Sequence, residues 1–238
     1  MTRRLLLLSS SRDANGVYLL HSATAIRSLL GESVRRVLFV PYAGVTISHS
    51  DYAERAAVPF AKLGYELQSI GDAAHPKNAV EHADAIIVGG GNTFQLLATL
   101  YDRDLIDAIR ARVHAGAPYI GWSAGAVITA PTIGTTNDMP IMEPKSLRAL
   151  NLIPFQINAH YTDFHQPGHQ GETRAERLEE YIAVNRDVRV LGLREGCSLR
   201  ITHDEITLDG TGTAPVFSHG VPRVEYSAGN DISFLLGP

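Results

Sequence analysis

The chain has 238 residues, of which 45% are hydrophobic and 19% charged, a composition typical of a soluble globular protein with a large core. Its formal net charge of −4 and its lack of a basic stripe argue against nucleic acid as a partner. The single cysteine, Cys197, excludes an internal disulfide and is consistent with the reducing cytoplasm, where we expect the protein to reside.

The first half of the chain alternates short apolar runs with longer amphipathic ones. The first run, residues 5–8, is too short for a signal peptide and predicts a buried strand over 4–9. No run approaches the roughly 20 apolar residues that span a bilayer, so no membrane association is expected. Further strands are predicted over 36–41, 65–70, 83–88 and 117–122, and helices over 17–30, 50–63, 92–100 and 104–114.

These strands are continuous hydrophobic runs, which indicates that helices cover both faces of the sheet. Repeated strand–helix units predict a mostly parallel α/β sheet. The second half contains a loop over 132–145, strands over 155–159 and 188–193, and a charged helix over 171–185. From Ser198 onward the pattern predicts β-hairpins, with a turn at Asp209-Gly210. We expect one α/β domain over residues 1–238.

The most informative motif is Gly121-Trp122-Ser123-Ala124-Gly125. It lies between a predicted strand and a run of small residues that permits a helix, which is the setting that gives Gly-x-Ser-x-Gly its meaning. The flanking glycines let neighbouring backbone approach a sharp turn that exposes the serine hydroxyl. Ser123 is therefore the candidate nucleophile.

A serine nucleophile needs a base within hydrogen-bonding reach. His160 ends a predicted strand, and reacting groups gather at the carboxyl ends of strands in open α/β sheets, so His160 is the candidate base. A metal site is the competing interpretation of this segment, since it also carries Asp163, His165 and His169. Their spacing matches no standard zinc signature, and we expect neither metal nor cofactor.

Two carboxylates are candidates for orienting the base. Glu195 follows the strand over 188–193, whereas Asp138 lies in the loop after the serine. A strand end is held more rigidly than a loop, which slightly favours Glu195. The sequence alone does not decide between them.

Three consecutive glycines, Gly89 to Gly91, follow another strand and precede Asn92, a good helix N-cap. Phe94 stands where a dinucleotide fingerprint needs its third glycine, which argues against phosphate binding. We expect the N–H of Gly91 or Gly90 to form an oxyanion hole with the N–H of Ala124. The alternative is a tight structural turn.

Taken together, these segments resemble the peptidase E family, the S51 serine peptidases. The pairing of Gly-Gly-Gly-Asn-Thr-Phe with Gly-Trp-Ser-Ala-Gly-Ala is highly specific. The similarity extends over 5–9, 40–46, 86–97, 119–126, 131–141, 156–160, 168–174 and 192–196.

The resemblance implies a glutamine-amidotransferase-like α/β sandwich and an enzyme that cleaves dipeptides with N-terminal aspartate. It implies Ser123 as nucleophile, His160 as base, and Asp138 or Glu195 as the third member. It also implies that Arg174, with Asn92 nearby, holds the substrate's aspartate side chain, although helix position alone makes Arg174 an ordinary solvated charge. A guanidinium suits that task because it clamps a carboxylate with two parallel hydrogen bonds.

Two other functions remain open at this point. A related serine hydrolase family, the cyanophycinases, has a similar turn, so β-aspartyl or isoaspartyl peptides are alternative substrates. A non-catalytic protein that binds an amino acid is a weaker alternative, because all the groups needed for acyl transfer are present. The expected partner is a small peptide, and the expected assembly is a monomer or a homodimer.

Overall fold

The computed structural model describes residues 3–168 and 170–237. The strands within these residues fall into two sheets. In chain order they are β1 (Arg4–Leu8), β2 (Arg36–Val40), β3 (Glu66–Ser69), β4 (Ile86–Val88), β5 (Tyr119–Trp122), β6 (Gln156–Tyr161), β7 (Val190–Arg194), β8 (Cys197–Thr202), β9 (Glu205–Gly210), β10 (Thr213–Ser218) and β11 (Val221–Ser227).

The larger sheet has the strand order β3-β2-β4-β5-β1-β8-β9. Neighbours from β3 to β1 are parallel, whereas β8 and β9 are antiparallel. The mostly parallel sheet is thereby confirmed. Because β5 lies between β4 and β1, the loops after these three strands meet at one edge of the sheet.

Helices cover this sheet, as the continuous apolar strands predict. They are α1 (Ala23–Leu30), α2 (His49–Lys62), α3 (Pro76–Glu81), α4 (Thr93–Asp102), α5 (Ile106–His114) and α6 (Ala124–Val127), whereas α7 (Arg174–Val184) packs on the second sheet. Leu6 and Leu8 of β1 face the core shared with α1 and α2, while Leu5 and Leu7 face α4, α5 and the second sheet. Among the described residues, no helix has the length and apolar character needed to cross a bilayer.

The second sheet has the order β11-β10-β7-β6, with only β6 and β7 parallel. Its inner face, including Ile157 and Leu191, joins the main core. On its outer face α7 packs Leu178 and Ile182 against Phe217. The C-terminal hairpins are confirmed, and they divide: β8–β9 extends the first sheet and β10–β11 the second.

Some predicted elements are corrected. The helix over 17–30 begins only at Ala23, because Leu19 adopts a left-handed conformation (φ 58°) and residues 20–22 form a 3₁₀ turn. Asp209-Gly210 is not a hairpin turn but the end of β9, and the chain leaves for the second sheet over the next two residues. Helix α3 was not predicted; Pro76 at its start is the signal that could have revealed it.

Candidate active site

Ser123 stands directly after β5 on a strained turn. Its φ of 52° and ψ of −116° are rare for a residue with a Cβ, and such geometry costs on the order of 1–3 kcal/mol and persists only where the surrounding structure enforces it. The Ser123 N–H donates to Leu8 O at 3.0 Å, and the Ser123 carbonyl accepts the N–H groups of Ala126 and Val127. These bonds to β1 and α6 hold the turn and leave the hydroxyl facing a pocket.

His160 is the extra residue of a β-bulge. Ala159 pairs with Leu193 and Tyr161 pairs with Arg194, so His160 has no residue opposite it and adopts a φ of 53°. Bulges re-aim side chains beside functional sites. Here the imidazole Nε2 lies 2.9 Å from Ser123 Oγ.

The backbone of this bulge is anchored by Ser9, a fully buried residue that follows β1. The His160 N–H donates to Ser9 Oγ at 2.9 Å, and Ser9 Oγ donates to Leu193 O at 2.7 Å. One hydroxyl thus ties the bulge to both sheets. Sequence reasoning missed this residue, whose only signal is a serine at a strand end.

Glu195 lies in the turn between β7 and β8, and its Oε1 is 2.7 Å from His160 Nδ1. Asp138 does not reach the imidazole: its Oδ2 accepts the Thr93 N–H at 2.7 Å, the Thr93 hydroxyl at 2.5 Å and the Thr136 hydroxyl at 3.1 Å. The structure therefore brings Glu195 to the candidate base and uses Asp138 to cap the start of α4.

The glycine-rich loop after β4 packs against the serine. Gly91 has φ 141°, and an added Cβ would lie 2.1 Å from Ala43 O, so only glycine fits there. A Cβ on Gly90 would lie 2.9 Å from Ser123 Cβ, which shows how near this loop is to the hydroxyl. Within the described part of the chain, the N–H groups of Gly90, Gly91 and Ala124 have no acceptor. These donors are available to a ligand.

Tyr52 of α2 supports that loop from behind. Its hydroxyl donates to Gly90 O at 2.9 Å and accepts from Trp122 Nε1 at 3.0 Å. Burial raises the pKa of Tyr52, so the phenol stays protonated and the donor is retained. Sequence reasoning missed Tyr52, because a tyrosine in an amphipathic helix is typical of a residue that only packs in the core.

The two predicted substrate-binding residues have protein partners. Asn92 accepts the Gln95 N–H at 3.0 Å, which confirms it as an N-cap, and its Nδ2 donates to Met139 O at 2.8 Å. Arg174 opens α7, and its Nη1 donates to His160 O at 2.5 Å. Burial, and secondarily the charge of Arg177, lowers the pKa of Arg174.

A pocket of about 560 Å³ opens in front of Ser123 and His160, within the range of small-molecule sites. Gly90, Gly91 and Asn92 line one part of it, and Arg12 and Arg55, which sequence reasoning missed, line another. Arg174 is not among the lining residues.

The metal interpretation finds no cluster to support it within the described residues: no three His, Cys, Asp or Glu side chains there are grouped to hold an ion. Asp163 pairs instead with Arg194 and Arg223. His165 bonds the carbonyl of Gly171, and His169 lies outside the described residues.

Comparison with known proteins gives consistent results. The model of peptidase family S51 matches residues 5–209. The chain is 44% identical over 236 residues to peptidase E of Nostoc sp. PCC 7120, covering 99% of this chain and 98% of that protein. It is 46% identical to peptidase E of Shewanella denitrificans, covering 97% and 98%. A crystal structure of a peptidase from an acI-B1 Actinobacterium shares the fold, with a TM-score of 0.73, 21% identity and 98% coverage of both chains.

Proposed function

The chain belongs to peptidase family S51, and on that premise we propose that it is a serine dipeptidase acting on Asp-X dipeptides with N-terminal aspartate through an acyl-enzyme on Ser123. The observation that carries the proposal is the linked series Ser123 Oγ, His160 and Glu195, with separations of 2.9 and 2.7 Å. A hydroxyl, an imidazole and a carboxylate in this order are the parts of a serine hydrolase triad.

In this mechanism Glu195 accepts the Nδ1–H of His160, which leaves Nε2 unprotonated and facing the serine. Ser123 Oγ attacks the peptide carbonyl carbon while Nε2 takes its proton. The carbonyl oxygen becomes an oxyanion and accepts the N–H groups of Ala124 and of Gly91 or Gly90, which have no other acceptor in the described chain.

The tetrahedral adduct then breaks its C–N bond. His160 Nε2–H protonates the departing amine, and an aspartyl ester remains on Ser123. Water attacks this ester with His160 again as base, and the serine oxygen leaves with the proton. Aspartate is released and the enzyme is restored.

Selection for aspartate is supported by family resemblance and by the half-buried Arg174 beside His160. Its guanidinium N–H groups can donate two parallel hydrogen bonds to a substrate carboxylate. Asn92 lines the pocket at the other flank of the serine. A cytoplasmic location is part of the proposal and is consistent with the lone, buried Cys197.

The test compares hydrolysis of Asp-Leu, β-Asp-Leu and Leu-Leu by the wild type and by Ser123→Ala. Ser33→Ala, an exposed serine between α1 and β2, is the matched control. We expect Asp-Leu to be preferred, Ser123→Ala to lose activity, and Ser33→Ala to keep it. Equal activity in wild type and Ser123→Ala would remove the serine mechanism, and preference for β-Asp-Leu or Leu-Leu would remove the specificity.

A further inference from the structure

Two arginines give the pocket a positive charge that the proposed triad does not use. Arg12 and Arg55 both line it and both are exposed. In the described part of the chain no Asp or Glu lines this pocket, and neither guanidinium has an ion pair. Two unneutralised cations in a concave site of a protein with net charge −4 favour an anionic ligand.

The two guanidinium groups converge on Tyr18, another lining residue. The Arg12 guanidinium carbon lies 5.5 Å from the Tyr18 ring centroid, and Arg12 Nη1 donates to Gly16 O at 2.6 Å. Arg55 borders the same residue, because Arg55 and Tyr18 together line both this pocket and the neighbouring one that includes Val17 and Leu20. Both cations therefore border Tyr18, and Arg12 is held in place by its bond to Gly16.

Their position identifies which end of a peptide they face. The oxyanion donors of Gly90 and Gly91 follow β4, on one side of Ser123. On the other side is the end of β1, where Ser9 anchors His160, the group that protonates the departing amine. Arg12 lies in the segment after β1, three residues beyond Ser9, and Arg55 lines the pocket beside Tyr18 of the same segment, so both are on the side from which the leaving residue departs.

We propose that Arg12 and Arg55 bind the free C-terminal carboxylate of the leaving residue and thereby restrict substrates to dipeptides. This inference rests on the proposed peptidase function. A longer peptide has a neutral amide where the carboxylate of a dipeptide would be, so it forfeits the charge-assisted bonds that two guanidinium groups provide. Arg174, which does not line this pocket, keeps the role proposed above for the aspartate side chain.

The test measures binding rather than turnover, so that it is separate from catalysis. In the Ser123→Ala background, calorimetry compares Asp-Leu, Asp-Leu amide and Asn-Leu. The same peptides are then measured with Arg12→Gln and Arg55→Gln added together and with Arg55→Gln alone, which breaks no hydrogen bond of the described chain. Arg35→Gln, an exposed arginine outside this pocket, is the matched control.

We expect Asp-Leu to bind roughly ten- to a hundredfold more tightly than its amide, and the double variant to abolish that preference. Arg55→Gln alone should reduce it partly, and Arg35→Gln should leave it intact. The ratio of Asp-Leu affinity to Asn-Leu affinity should be the same in all proteins, because both peptides carry the C-terminal carboxylate.

The inference is overturned if Asp-Leu does not bind, if it binds no better than its amide, or if the double variant keeps the preference. It is also overturned if the arginine changes remove discrimination against Asn-Leu instead. Failure of the proposed function is seen separately, as equal turnover of Asp-Leu by the wild type and Ser123→Ala.

Discussion

Replacing the two candidate carboxylates one at a time should affect different properties: catalysis for Glu195 and stability for Asp138. Glu195→Gln keeps the size of the side chain but removes the charge that stabilises the imidazolium of His160. In serine peptidases the loss of that charge costs about 10⁴ in kcat. Here the Glu195 side chain is 66% exposed, so water screens the interaction, and we expect a loss of about 10²–10³ in kcat, or about 2.7–4 kcal/mol of activation free energy.

Asp138→Ala should act on stability instead. It removes the acceptor for the Thr93 N–H, the Thr93 hydroxyl and the Thr136 hydroxyl at the start of α4. Losing a capping carboxylate costs about 1–2 kcal/mol of unfolding free energy, and each kcal/mol lowers Tm by about 2–4 °C in a chain of this size. We expect kcat to stay within about tenfold.

The assay is release of leucine from Asp-Leu under saturating substrate, with Tm followed by circular dichroism on the same samples. Glu205→Gln, an exposed glutamate of β9, is the control. KM should change little in Glu195→Gln, because Glu195 does not line the pocket. The reasoning is refuted if Asp138→Ala lowers kcat a hundredfold at unchanged Tm while Glu195→Gln remains within tenfold of wild type.

Ser9→Ala removes the acceptor of the His160 N–H and should lower kcat by about 10–100-fold with a smaller change in KM, measured by steady-state kinetics; an unchanged kcat would contradict its positioning role. Gly91→Ala should abolish activity, since its Cβ would overlap Ala43 O; wild-type kinetics would refute this. Burial opposes ionisation of Asp163, but hydrogen bonds from Arg194, Tyr161 and Arg223 prevail and lower its pKa from 3.8 to about 2. The stabilisation that ionised Asp163 contributes is therefore complete above pH 3.8 and lost as the pH falls through about 2. The free energy of unfolding of Asp163→Asn, measured by denaturant titration, should accordingly depend less on pH over that interval than that of the wild type. An unaltered pH profile would argue against the pairing.

The central strands could be predicted from sequence because burial on both faces leaves a local trace. Residues such as Leu5 to Leu8 and Ile86 to Val88 are continuous apolar runs bounded by turn residues. The sharp turn at Ser123 could also be predicted from the sequence, because the glycine spacing and the flanking strand and helix are local features.

The strands of the second sheet could also be predicted, but not that they form a separate sheet. Its strands β7 and β10 pair across the 18 intervening residues 195–212, and hairpin signals do not say which sheet a hairpin joins. The start of α1 was also misplaced, because the left-handed conformation of Leu19 and the 3₁₀ turn over 20–22 do not show in the helical spacing of the sequence.

Part of the site was likewise beyond the sequence. His160 was identified by its strand-end position, yet the bulge that aims it depends on pairing with β7. Which carboxylate contacts His160 also depends on the fold. Glu195 lies beside Nδ1 of the imidazole, whereas Asp138 is bonded to Thr93 and Thr136. Arg12 and Arg55 lie in segments with no motif and meet only through the fold.

Labelling with a fluorophosphonate tests the central claim most directly, because the reagent reacts with an activated serine hydroxyl far faster than with an ordinary one. The account predicts one adduct per chain, located by peptide mass spectrometry at Ser123 and formed far more slowly in His160→Ala. No adduct, an adduct on another residue, or an unchanged rate in His160→Ala would contradict it.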